Sequence, residues 1–160
     1  MKFEQRIDKL LFENKDEVIR QIDAWIAKQY QKQVYSNPLD DMDDEFEEDE
    51  LLDLIQKLDH PYLPLEPYIK NNPKYAYYYA RGVIKGRWPE GEEAIKQNAY
   101  YAYYYAEGVI KGRWPEGEDA IKQDAEYAYY YAFNVIEGRW PEGEDVIKQD
   151  VYWWNEYKKL

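Results

Sequence analysis

The stretch Gly-Val-Ile-Lys-Gly-Arg-Trp-Pro-Glu-Gly-Glu-Glu-Ala-Ile-Lys-Gln over 82–97 decides the fold, because it returns nearly unchanged at 108–123 and, more diverged, at 134–149. Trp88, Trp114 and Trp140 stand 26 residues apart, and Tyr-Ala-Tyr-Tyr-Tyr-Ala precedes each copy at 75–80, 101–106 and 127–132. A unit of this length held three times predicts a stacked repeat, in which each piece buries its apolar face only against its neighbours.

Each unit reads as two helices. Asn72, Asn98, Asp124 and Asp150 fit the N-cap of the longer one, with Pro73 at its first helical position. Gly86, Gly112 and Gly138 fit its end, where a glycine in the left-handed conformation would close the helix. Pro89, Pro115 and Pro141 then open a shorter helix with an acidic first turn, anchored by Ile95, Ile121 and Ile147. The units run about 73–98, 99–124 and 125–150. Degenerate ends follow the same register: in 62–72 Ile69 matches Ile95, and in 151–160 Trp153 stands for Tyr127. The expected fold is all-α, a short α/α solenoid over 61–160 preceded by an N-terminal helical segment over 1–60.

The copies also sort the faces of the long helix. Tyr75/Tyr101/Tyr127/Trp153 and Tyr79/Tyr105/Tyr131/Tyr157 stay aromatic four residues apart and, with Val83/Val109/Val135, read as core beside the Ala76/Ala80/Ile84 row. The series Lys74/Tyr100/Glu126/Tyr152, Arg81/Glu107/Phe133 and Lys85/Lys111/Glu137 vary freely and should face water. In the N-terminal segment, Phe3, Ile7, Leu10 and Leu11 keep helical spacing. So do Val18, Ile22, Trp25, Ile26, Tyr30 and Val34, after a capping-box-like Asn14-Lys15-Asp16-Glu17 start. Asn37-Pro38 breaks that helix, nine of the eleven positions 40–50 are acidic, and a short helix carries Leu51, Leu54, Ile55 and Leu58.

Composition narrows the function classes. With 45% hydrophobic residues the chain is too apolar for disorder, and its 19 Tyr and 6 Trp against 4 Phe favour rings that keep a polar end wet. Cysteine is absent, which removes disulfides, thiolate zinc sites and a thiol nucleophile. The charged start Met1-Lys2-Phe3-Glu4-Gln5-Arg6 does not read as a secretory leader, so none is expected, and no stretch approaches the ~20 apolar residues of a membrane helix. A cytoplasmic location is the expectation. The net charge is −12, with 9 basic and 18 acidic residues (net −9) in 1–72 and 12 and 15 (net −3) in 73–160. That balance disfavours direct nucleic-acid binding and suits a partner with a basic surface.

No residues suggest catalysis: there is no Ser-His-Asp set, HExxH, phosphate-cradling glycine loop or thiol, and no cofactor is implied. Asp41-Met42-Asp43-Asp44-Glu45 alternates like a calcium loop, but Phe46 stands where such a loop needs glycine, so no metal site is expected. His60, the single histidine, adjoins Pro61 at the expected junction.

Three candidate surfaces remain. Tyr78, Tyr104 and Tyr130 recur at a helix-to-helix spacing of ~10 Å and would form a ladder. They are a partner-binding face, or simply a cover for the groove between helices. The acidic run, represented by Asp43, Asp44, Glu47 and Glu48, is bait for a basic protein or a solvated linker. Arg87, Arg113 and Arg139 could hold anions. The weightier reading pairs each with a repeat Glu and stacks it on the adjacent Trp, which itself plugs the space between repeats.

The string Tyr-Ala-x-x-Tyr-Ala-x-x-Val-Ile-Lys-Gly-Arg-Trp-Pro-Glu-x-Glu resembles short tandem repeats of bacteriophage and bacterial proteins of unknown function. The resemblance covers 62–160, stops short of 1–60, and implies a phage or bacterial setting without an activity. In that setting an acidic, cysteine-free chain of this size is similar in character to phage proteins that inhibit host defence systems. The leading expectation is therefore a protein-binding module, an inhibitor that docks its acidic region and tyrosine ladder on a basic host protein. A small-ligand or nucleotide binder using Tyr and Arg between repeats, and a self-associating structural protein, are the alternatives.

Overall fold

The computed structural model describes residues 17–31 and 45–160, with side chains described in 17–31 and from Glu50 onward. The first helix proposed above, at Phe3–Leu11, lies outside them, as do Asn14–Asp16, Val34, Asn37-Pro38 and residues 40–44. The described residues are all helix and connecting turns. None of their helices is long and apolar enough to cross a membrane. The chain divides into two compact units, Met1–Tyr68 and Ile69–Leu160.

In the first unit, α1 spans 17–31 and α2 spans Glu45–Lys57. Helix α2 begins six residues before Leu51, so the second half of the acidic run is helical rather than linker. A carboxylate-rich first turn suits the positive end of a helix dipole, which favours this early start. The core of the unit is aliphatic: Ile22, Leu51, Leu54, Ile55, Leu58 and Leu65 are buried. Trp25 meets Tyr68 edge-on at 6.0 Å, and the Tyr62 hydroxyl donates to Asp23 at 2.6 Å.

The second unit is the repeat array. The boundary falls within α3 (Glu66–Ile69), the remnant of a short helix, which buries Ile69 where the full copies bury Ile95, Ile121 and Ile147. Three long helices follow, α4 (Pro73–Tyr79), α6 (Ala99–Tyr105) and α8 (Ala125–Tyr131), and α10 (Val151–Tyr157) closes the array. Between them lie α5 (Pro89–Ile95), α7 (Glu118–Ile121) and α9 (Glu144–Ile147). In the last two copies a 3₁₀ turn, Pro115–Gly117 or Pro141–Gly143, precedes the short helix. Each long helix packs on the short helix that follows it and on the next long helix, which is the nearest-neighbour stacking of a solenoid.

The caps form as the residues dictate. The side chain of Asn72 accepts from the amides of Lys74 and Tyr75, Asn98 from Tyr101, Asp124 from Glu126 and Tyr127, and Asp150 from Tyr152 and Trp153.

The helix ends differ from expectation. Each long helix runs on through a π turn, Ala80–Ile84, Ala106–Ile110 or Ala132–Ile136. The left-handed residues are Lys85, Lys111 and Glu137, at φ of 58°, 59° and 58°, while no glycine has positive φ. The amides of Lys85 and Gly86 both reach back to the Ala80 carbonyl, and the later copies repeat the pattern. This wide last turn puts the chain reversal one residue ahead of the glycine. A side chain is therefore held where glycine is ordinarily preferred, at a cost of roughly 1–2 kcal/mol per site.

Candidate binding face

The short-helix edge of the array is built from a polar node repeated three times. The Trp88 amide donates to the hydroxyl of Tyr105, one repeat further on, at 2.9 Å. That hydroxyl donates in turn to Glu92 at 2.7 Å, and Arg87 grips the same carboxylate with two hydrogen bonds of 2.8 Å. The second node joins Trp114, Tyr131, Glu118 and Arg113, and the third joins Trp140, Tyr157, Glu144 and Arg139. Burial drives the Tyr105 and Tyr131 hydroxyls well above the ordinary phenol value, and that of Tyr157 upward too. Burial alone would raise Glu92, but the hydrogen bonds from Arg87 and Tyr105 outweigh it and hold the carboxyl below its usual range.

Packing explains the rest of the motif. Trp88, Trp114 and Trp140 are buried, each with its ring 4.9 Å from the tyrosine of its own long helix, Tyr79, Tyr105 or Tyr131. A Cβ on Gly91 would stand 2.5 Å from the Trp88 ring, and one on Gly117 or Gly143 would stand 2.3 Å from Trp114 or Trp140. Glycine is required there so that the helix can lie against the indole. The tryptophans are buried as expected of plugs, but these ring contacts lie within one copy, and it is the Trp backbone amide that reaches the next. The three arginines are engaged by carboxylates, and Arg113 also reaches Glu142 of the next copy at 3.2 Å. Stacking on the adjacent tryptophan is not what the structure shows: Arg139 instead lies over the Tyr157 ring at 5.4 Å.

The long helices present an aromatic band. Tyr77 approaches Tyr101 and Tyr104 of the next repeat at 5.8 and 6.4 Å, Tyr103 approaches Tyr127 and Tyr130 at 6.0 and 5.9 Å, and Tyr129 meets Trp153 at 5.2 Å. These separations suit attractive ring pairs. Tyr78, Tyr104 and Tyr130 lie on this band but are half-buried. They lean on other rings, Tyr78 on Tyr77 at 5.1 Å and Tyr130 on Trp153 at 5.2 Å.

The residues beneath them, Tyr77, Tyr103 and Tyr129, were not singled out by the sequence reading. Tyr77 and Tyr103 are buried. Conversely Tyr101, Tyr127 and Trp153, together with Val109 and Val135, are only half-buried although assigned to the core. The series at 81/107/133 and 85/111/137 face water, whereas Lys74 and Glu126 are half-buried. Tyr100, Phe133 and Tyr152 are 38%, 52% and 63% exposed, which extends the band toward solvent.

Of the acidic candidates, Glu47 and Glu48 lie in the first turns of α2, and Asp43 and Asp44 lie outside the described residues. His60 is exposed, with Nδ1 2.6 Å from Asp59. No protein-family model, curated protein or solved structure matches the chain.

Proposed function

We propose that this protein is a non-catalytic protein-binding module that meets its partner with the aromatic band of its long helices and with the acidic stretch 40–50. The observation that carries the reading is the continuity of that band. Rings from Tyr77 to Trp153 touch across successive helices, and Tyr100, Phe133 and Tyr152 stand open at its surface. Tyrosine-rich surfaces of fixed geometry supply contact area at low entropic cost. The net charge of −12 favours a partner with a basic face. The finer form of the proposal is a phage-encoded inhibitor of a host defence protein, acting in the bacterial cytoplasm. It rests on the repeat resemblance and the acidic composition.

Affinity capture from a bacterial lysate, followed by titration of the purified captured protein, tests the reading. Wild type is compared with a Tyr100→Ser/Phe133→Ser/Tyr152→Ser variant and with a variant whose residues 40–50 are Ser and Gly. Each variant should weaken binding about tenfold or more, the second most strongly at low salt. Affinities unchanged by both would exclude the proposed face.

A further inference from the structure

The C-terminal turns of the first two long helices line an open cleft of about 260 Å³ bounded by Arg81, Lys85, Gly86, Gly108, Val109 and Lys111. We propose that it binds a phosphate-bearing small molecule, with Arg81, Lys85 and Lys111 around the phosphate.

The case rests on a contrast between two neighbouring junctions. One repeat further on, the same positions hold Glu107, Lys111, Asn134 and Glu137 in place of Arg81, Lys85, Gly108 and Lys111. There Asn134 reaches across and donates to the Tyr103 hydroxyl at 2.8 Å. At the first junction the equivalent hydroxyl, on Tyr77, instead accepts from Arg81 of its own helix. Gly108 adds no side chain, and a Cβ there would come no nearer than 3.9 Å to the Arg81 guanidinium. The first junction is thus cationic and open, while the second carries two carboxylates and a bridging amide.

The pairing of cations separates this cleft from the arginine row. Arg87, Arg113 and Arg139 are engaged by glutamates of their own copies. Among the described residues neither Lys85 nor Lys111 forms an ion pair, and Glu107 acts on Arg81 through its charge without an ion pair. In a chain of net charge −12, three cations around one concavity leave a local positive field. The carbonyl ends of the two long helices oppose an anion with roughly half an elementary charge each, and Glu107 with one more; three full positive charges still exceed that sum. The volume falls just short of the usual range of small-molecule sites, about 300–1,000 Å³, suiting a phosphate with at most a modest organic group.

The test titrates the full chain at low salt with inorganic phosphate, pyrophosphate and AMP, reading heat and the amide shifts of Lys85, Gly86, Gly108 and Lys111. The result expected is saturable binding that moves those amides and weakens about tenfold or more in Lys111→Glu and in Gly108→Asn. Both substitutions copy what the next junction already holds, and circular dichroism checks that each variant is folded. If Lys111→Glu does not fold, Gly108→Asn decides alone. AMP binding more tightly than phosphate would show that the cleft also takes the organic group; equal affinities would confine recognition to the phosphate. The proposal fails if none of the three probes saturates, or if the affinity survives every variant that folds.

Discussion

The two edges of the array treat their side chains in opposite ways. Along the short-helix edge, Arg, Trp, Pro and the node Glu recur in every copy, and each has a defined partner: a carboxylate, a ring, a helix start or a buried hydroxyl. Along the far ends of the long helices, Arg81 gives way to Glu107 and Phe133, and Lys85 and Lys111 give way to Glu137, with no change in backbone. Among the node residues identity between copies goes with a defined partner, and at 81/107/133 and 85/111/137 variation marks places where stacking asks nothing of the side chain. Those free places are where a copy can acquire a charge or a contact of its own.

Alkaline pH breaks the comparison most completely, because it acts on all three nodes at once. The folded state holds the Tyr105, Tyr131 and Tyr157 hydroxyls neutral and raises their pKa values. Stability is whole below the ordinary tyrosine value of ~10 and falls as pH rises through the raised folded values. Denaturation midpoints should drop steeply above pH ~10, in step with tyrosinate absorbance. At the acid end the sign reverses for the carboxylates. Glu92 and Glu144 lie below their usual range, so their contribution is present above it and is lost as pH falls through the folded values. A flat alkaline limb would remove the hydroxyls from any part in holding the repeats together.

Single substitutions separate the edges next. Trp114→Ala should cost about 3–5 kcal/mol in chemical denaturation, since it opens a large cavity beside Tyr105 and Gly117. Phe133→Ala, on the variable edge and 52% exposed, should stay within about 0.5 kcal/mol. Comparable losses would mean that the edges are not energetically distinct. Tyr131→Phe sharpens the point by removing one oxygen. It leaves the Trp114 amide without its acceptor and Glu118 without one donor, at a cost of roughly 1–3 kcal/mol. Tyr104→Phe on the aromatic band should cost within about 0.5 kcal/mol.

Much of this was legible in the residues. The 26-residue period, the Asn and Asp caps and the buried Ile95, Ile121 and Ile147 follow from spacing and capping chemistry alone. So does the engagement of Arg87, Arg113 and Arg139, because a glutamate lies five residues on in each copy. What escaped are the links between copies. Helical spacing places Tyr105 in the core and Tyr104 outside it, but the bond from the Trp88 amide to the Tyr105 hydroxyl spans 17 positions, and nothing local names that partner. The aromatic band escaped for the same reason. Helical spacing gives one direction per residue, but Tyr77, Tyr101 and Tyr104 meet only once two helices lie side by side. The early start of α2 was hidden by charge, since a run of carboxylates reads equally as solvated linker and as helix start.

The smallest expected effect concerns the left-handed turn, where the sequence reading and the structure make opposite predictions. If Gly138 closed its helix in the left-handed region, Gly138→Ala would cost roughly 1–2 kcal/mol, the penalty of a Cβ there. In the structure that region is occupied by Glu137 at φ 58°, and a Cβ on Gly138 would meet nothing within 4 Å. Gly138→Ala should therefore be neutral or slightly stabilising, because it reduces the freedom of the unfolded chain without straining the folded one. Glu137→Gly should gain roughly 0.5–1 kcal/mol, the strain relieved less the entropy that glycine adds to the unfolded state. Both residues lie on the variable edge and away from the cationic cleft, so denaturation of the two single variants reads the turn alone. A loss in Gly138→Ala with no gain in Glu137→Gly would put the chain reversal back on the glycine and the π turn out of the helix.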